Sequence, residues 1–171
     1  MSLSGLSLTN QRIFFSKLQL QQYASLIDGD SEPAMQAQYE SVVFHLNFAY
    51  QAFLSELIET DNRGLVLAEA QSASVLVGDC ETGSVSPELK ELALLEGTGE
   101  SESVSWLAGL QAAYKQLGVA GADVGSSGAV QHSEISVTML SENDDKLSEL
   151  RFWHQSLAST VQRLRTMSQE W

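Results

Sequence analysis

The strongest constraint on the fold is a run of about thirty residues, Glu32 to Thr60, that has helical periodicity and contains no glycine. Its single proline, Pro33, stands at the beginning, where proline suits the first turn of a helix. Apolar residues recur at three- and four-residue steps along two neighbouring stripes. The stripes are Met35, Tyr39, Val42, Leu46, Phe53 and Leu57, and beside them Val43, Tyr50, Leu54 and Ile58. A helix with two apolar stripes packs against more than one neighbour, so this segment is predicted to be the spine of an all-α domain.

Capping and breaking signals predict the other helices. We expect them over residues 7–28, 65–77, 86–96, 102–117 and 143–169. Ser86 followed by Pro87 is typical of a helix start. Ser101 is predicted to cap the helix over 102–117, and Gly118 to end it.

Two segments between these helices are not predicted to be helical. The glycine-rich stretch over about 118–134 lacks large side chains to bury and is predicted to be a flexible loop. Residues 135–140 are interpreted as a short extended segment, because β-branched residues favour that conformation.

The predicted helices assemble most simply as one domain. The four longest, residues 7–28, 31–60, 102–117 and 143–169, predict an up-and-down four-helix bundle, to which the two short helices are additions. A chain of 171 residues is long enough to bury a core without disulfides or metals.

The charge balance excludes some partners. The formal net charge is −13, with 22 acidic residues against nine basic ones. Non-specific binding to nucleic acid requires clustered Lys and Arg, so we do not expect it. The basic residues near the C-terminus are Lys146, Arg151, Arg163 and Arg165. We interpret these four as pairing with the acids around them.

Cysteine content and hydropathy indicate the compartment. The one cysteine, Cys80, has no partner for an intramolecular disulfide, which favours a reducing compartment. The first nine residues carry no basic side chain and no continuous apolar run, so no secretory signal is expected there. No segment reaches the length of apolar sequence that spans a membrane. The predicted location is cytoplasmic, with no membrane partner.

Helix-borne histidines are the candidate ligands. Bundle metal sites of the di-iron type use Glu-x-x-His pairs that share a helix face. Here Glu40 and Glu149 each precede a histidine by five residues, a rotation of about 140° that separates the two side chains. A site formed by His45, His154 and Glu56 stays an alternative, but no metal and no cofactor is predicted. The simpler interpretation places His45 inside the bundle, where it and Asn47 bond across to a partner.

Arg151 and His154 suggest a second chemistry. The segment resembles in part the Arg-and-His motif of bundle-forming ribonucleases in toxin systems, in which His acts as general acid or base and Arg holds phosphate. The separation in that motif is longer than the two residues that intervene here. The simpler interpretation is that Trp153 belongs to the core and Arg151 to the surface. His45, Asn47, Arg151 and His154 are the candidate binding residues, and no catalytic residue is predicted.

Two adjacent helices carry more aromatic residues than one apolar stripe requires. They are Phe14, Phe15, Tyr39, Phe44, Phe48, Tyr50 and Phe53. Core packing accounts for most of them, and the remainder predicts a surface patch for a partner or a small apolar ligand.

Several short strings point to a family. They are residues 10–15, 40–46, 86–89, 105–107 and 170–171. In this order they resemble a family of small uncharacterised bacterial proteins, a domain of unknown function that is expected to be helical. The resemblance spans nearly the whole chain and implies a fold class without an assigned activity.

The sequence therefore predicts a binding or scaffolding protein that acts through helix faces. Its partner is either an unknown protein or a second copy in a homodimer. The alternatives are a bundle that acts on nucleotides or RNA through Arg151 and His154, and a metal-binding bundle centred on His45.

Overall fold

The computed structural model describes the backbone of residues 5–27, 29, 31–60, 72–78, 85–97, 104–120 and 135–169. Side chains are described for these residues except 60, 118–120, 135–141 and 169. The helices are α1 (Gly5–Leu26), α2 (Glu32–Thr60), α3 (Ala73–Gly78), α4 (Pro87–Glu96), α5 (Trp106–Ala120) and α6 (Ile135–Gln169). This part of the chain contains no strand, and the all-α prediction is confirmed.

The spine helix is present as predicted. α2 runs unbroken for 29 residues, and every residue of its two apolar stripes is buried except Tyr39, which is half-buried. α1, α4, α5 and α6 all contact α2. Because companions cover both stripes, the core lies around this helix.

α1 and α2 form an antiparallel hairpin. Arg12 lies against Phe48 and Phe15 against His45, so residue numbers rise along α1 as they fall along α2. At one end of the hairpin the backbones come close, because a Cβ atom on Gly5 would lie 3.0 Å from the Cα of Glu56. Any larger side chain at this position would push the two helices apart.

The last helix buries a seam of apolar residues that recur at three- and four-residue steps: Leu147, Leu150, Trp153, Leu157, Val161 and Leu164. The start of this helix was predicted wrongly, since α6 begins at Ile135 and the expected extended segment over 135–140 belongs to it. No glycine or proline interrupts residues 135–169. Extending a helix adds one hydrogen bond per residue, and this gain outweighs the modest preference of β-branched residues for strands.

The bounds of α5 also differ from expectation. Its cap is Ser105, whose Oγ accepts a hydrogen bond from the N–H of Ala108 at 3.1 Å; the predicted cap, Ser101, lies outside the described residues. The helix continues past Gly118 to Ala120. A single glycine inside a helix costs only about 1 kcal/mol, which neighbouring residues can offset. The rest of the predicted loop, 121–134, lies outside the described residues.

The short helices agree with their signals where they are described. Ser86 caps α4, and its Oγ accepts from the N–H of Leu89 at 3.3 Å. α3 covers the end of the helix expected over 65–77, whose first seven residues lie outside the described part.

The long helices contact one another around the spine. α2 contacts both α5 and α6, and α6 also contacts α1 and α5. The up-and-down order of a four-helix bundle stays a prediction.

Candidate functional site

The aromatic residues that the core does not absorb form a cluster on the surface of the α1–α2 hairpin. We call it the aromatic face and define it as Arg12, Phe14, Phe15, Phe44, His45 and Phe48. The ring centroids of Phe15 and His45 lie 5.6 Å apart, as do those of Phe44 and His45, both edge to face. Phe44 and Phe48 follow at 5.7 Å. Pairs of this geometry stabilise each other beyond simple burial, so the face is held in an ordered arrangement.

Much of this ordered surface is open to solvent. Phe14 is 55% exposed, Phe44 42% and Phe48 38%. Single exposed apolar residues are common on proteins, whereas contiguous apolar patches mark interaction sites. The predicted surplus of aromatic residues is therefore real, and it is larger than expected because core packing absorbs fewer of these rings than we predicted.

Arg12 is the cation of the aromatic face. Its guanidinium carbon lies 4.3 Å from the ring centroid of Phe48 and 5.9 Å from that of Phe15, which are cation–π distances. The Nε atom is buried and has no hydrogen-bond partner. Our sequence prediction missed this residue. Its spacing of three from Phe15 puts the two on one side of α1, and that spacing was the signal available.

His45 belongs to this cluster, and its surroundings disfavour the protonated form of its imidazole. Burial, and secondly the positive charge of Arg12, lower the pKa of His45 below its ordinary value. Its Nδ1 atom is buried without a hydrogen-bond partner, so the expected bond across the bundle is not formed at that atom. The half-buried Asn47 makes no side-chain hydrogen bond to another described residue.

The other two candidate residues lie on α6. Arg151 is exposed and Trp153 is buried, which confirms the simpler interpretation of this segment. Burial lowers the pKa of His154, as does Lys17 to a smaller extent, while a backbone hydrogen bond with Ile13 opposes the shift. The Nε2 atom of His154 is buried without a partner. A general acid or base must reach its substrate, so the described geometry gives the ribonuclease alternative no support.

The two histidines contact different residues of α1. The ring of His45 packs on Phe15, whereas His154 forms a backbone hydrogen bond with Ile13. Within the described part of the chain, no group of three His, Cys, Asp or Glu side chains could hold a metal ion. His132 and Cys80 lie outside that part. Whether the four candidate residues bind anything stays a prediction.

The carboxylate of Glu56 is occupied by a different partner. Arg165 of α6 donates from Nε to Oε1 and from Nη2 to Oε2, both at 2.7 Å. The Thr9 hydroxyl donates to Oε2 at 3.0 Å, and Arg165 also reaches Asn10 of α1. This buried polar cluster ties α1, α2 and α6 together.

The pairing expected for the C-terminal basic residues is present in three of the four. Besides Arg165, Arg163 pairs with Glu91 of α4, and Lys146 lies 2.9 Å from Glu142 one turn before it. The positive charge of this region is therefore largely neutralised by acids.

A second carboxylate joins the smaller helices to the spine. Glu96, the last residue of α4, accepts from the N–H groups of Ala73 and Ser74 at 2.9 and 2.7 Å, and thereby caps α3. It also accepts from the hydroxyl groups of Ser74 and Tyr50 and from Gln111 of α5. Burial and the nearby carboxylate raise the pKa of Tyr50, so this hydroxyl stays a donor. Burial raises the pKa of Glu96, but the hydrogen bonds outweigh it and the net shift is downward.

Acidification is therefore expected to weaken the fold through Glu96. Its folded pKa lies below the unfolded value of about 4.3, so its contribution is complete above that pH and is lost as the pH falls through the folded pKa. We expect Glu96→Gln to lower the free energy of unfolding by about 1–3 kcal/mol at neutral pH, because charge-assisted hydrogen bonds are lost. Urea titrations should show this difference shrinking as the pH falls below the unfolded pKa of about 4.3. The exposed Asp145→Asn is the control, and a difference for Glu96→Gln that does not vary with pH would contradict the assignment.

The described structure thus defines an all-α protein with a spine helix, a buried carboxylate cluster at Glu56, a half-buried one at Glu96 and an aromatic face. The chain belongs to the family of unknown function DUF6586, whose match covers residues 1–171, as the resemblance implied. No curated protein and no solved structure matches the chain. Among the described residues, no helix combines the length and apolarity needed to cross a membrane.

Proposed function

We propose that the protein is a binding or scaffolding module that docks a partner on its aromatic face. The observation that carries this proposal is the set of three phenylalanine rings, Phe14, Phe44 and Phe48, that are exposed and yet held by contacts to one another or to Phe15, His45 and Arg12. Aromatic residues and arginine dominate the energetic centres of protein interfaces. A preordered surface of this composition loses little conformational entropy on binding.

The charge distribution supports the same role. Interface centres are depleted of Lys, Glu and Asp, and residues 41–55 of α2 contain none of these and no arginine. α1 contains no acidic residue. The low cysteine content makes the cytoplasm the expected setting for this role.

Photo-crosslinking in the cells that make the protein tests this role. Benzoylphenylalanine at position 44 should give a discrete crosslinked product, because a docked partner lies over Phe44. The same probe at Leu94, which is 78% exposed on α4, is the control for random encounter. Absence of product from position 44, or equal products from both positions, would overturn the proposal.

A further inference from the structure

We propose that the partner of the aromatic face is a second copy of this chain. The two copies would pack face to face. The two-fold axis would lie between the two faces, perpendicular to α2 and level with Phe44. This inference rests on the proposed binding role of the face. It names the occupant and the register, which the binding role leaves open.

The distribution of acids restricts where two copies can meet. Each chain carries a net charge of −13, so most pairs of surfaces repel at distances within the screening length of about 8 Å. The α1–α2 hairpin carries few acids. α1 has Arg12 and Lys17 as its only charged residues, and α2 has no Asp, Glu, Lys or Arg between Glu40 and Glu56. Two copies can therefore approach through this face with little repulsion.

The same surface carries a cation, Arg12, and an anion, Glu40, that lack counter-charges among the described residues. Arg12 and Glu40 each form no ion pair with a described residue; Glu40 accepts only from Gln36, at 2.8 Å. Within one copy they lie too far apart to pair. Arg12 lies over Phe48, eight residues from Glu40, which is about 12 Å along the helix axis.

A two-fold axis at Phe44 brings these charges together. This axis makes α2 of one copy antiparallel to α2 of the other, so that position 40 of one chain lies level with position 48 of the other. Glu40 then meets the Arg12 that covers Phe48 in the second copy. An isologous interface repeats every contact, so two such ion pairs form.

The same two-fold axis also places exposed apolar residues of one copy opposite exposed apolar residues of the other. Phe15 lies against His45, so position 16 of α1 is level with Phe44. The axis then puts Phe14 of one copy level with Leu18 of the other, and both are exposed. The two Phe44 rings meet at the axis itself, so apolar surface faces apolar surface along both helices.

Charge reversal measured by analytical ultracentrifugation tests the register. We expect the purified chain to sediment as a dimer in the micromolar range. Arg12→Glu and Glu40→Arg should each raise the dissociation constant about tenfold or more, because each puts like charges in contact. The double variant Arg12→Glu/Glu40→Arg should restore dimerisation, because it exchanges the two charges and keeps them complementary.

A matched control separates pairing from net charge. Lys115→Glu makes the same charge change as Arg12→Glu, but on an exposed position of α5, and should leave the dissociation constant unchanged. Thermal melts of every variant distinguish dissociation from unfolding. A dimer that survives Arg12→Glu, or a double variant that stays dissociated, overturns this inference.

The crosslinking and sedimentation experiments together distinguish failure of the dimer from failure of the binding role. A chain that stays monomeric in the micromolar range, while position 44 crosslinks to a different protein, removes the second copy and retains the binding role. A crosslinked product composed of two copies of this chain supports both.

Discussion

Replacing Phe53 with alanine is expected to lower the free energy of unfolding by about 3–5 kcal/mol. The side chain is fully buried in the C-terminal half of α2, so truncation removes apolar contacts and leaves a cavity that the rigid spine cannot close. The guanidinium carbon of Arg165 also lies 5.9 Å from the ring centroid, and that contact is lost. Urea denaturation followed by circular dichroism measures the change.

Phe48→Ala is the matched control for this substitution. It makes the same chemical change on the same helix, but at a ring that is 38% exposed. We expect a loss of about 1 kcal/mol, most of it from the contact with Arg12. Losses of similar size at the two positions would show that α2 is not covered on both flanks as the structure has it.

The spine and its neighbours were predictable because their signals are local and periodic. Two buried stripes on α2 and the seam of α6 follow directly from helical spacing. The cap at Ser86 was predicted correctly because Ser-Pro-Glu presents the full N-terminal signature. The start of α6 was missed because the helix begins in a segment whose residues favour strands, and continuation of an uninterrupted helix outweighs that preference.

The composition of the site was less predictable than its helices. Surplus phenylalanines on two adjacent helices indicated a surface patch, but their spacing did not show which rings the core would absorb. That choice depends on the rotation of α1 against α2, and the close approach of Gly5 to Glu56 contributes to it. Arg12 was missed because the closer of its two aromatic partners, Phe48, lies on the other helix of the hairpin, far from Arg12 in sequence. Only its weaker contact, with Phe15, is local.

Glu56 illustrates a further limit of the sequence. It was considered as a metal ligand because it is an acid on a helix that packs in the core. Its actual partner, Arg165, is 109 residues away in sequence. No local pattern links the two, so only the packing of α6 against α2 reveals the pair.

Arg165→Met is expected to lower the free energy of unfolding by about 3–5 kcal/mol, because it removes from the buried Glu56 carboxylate a guanidinium that holds both of its oxygens. The side chains of Glu56 and Arg165 are 10% and 22% exposed, so water replaces the lost hydrogen bonds poorly. Arg163→Met is the matched control on the same helix. Its pair with Glu91 is more exposed, and its loss should cost at most about 1 kcal/mol.

The double variant Glu56→Leu/Arg165→Met decides what the pair contributes. Removing both charges replaces a desolvated ion pair with apolar side chains of similar volume, a change that is often neutral in protein interiors. We therefore expect the double variant to recover most of the stability that either single substitution loses, giving a coupling energy of about 3 kcal/mol in a double-mutant cycle by urea denaturation. Without Glu56, the Thr9 hydroxyl can turn its single proton to the carbonyl oxygen of Gly5, which lies 3.0 Å away, and this limits the cost of losing Glu56. Additive losses would show that the two side chains stabilise the fold independently, and that the ion pair does not hold α6 to the spine.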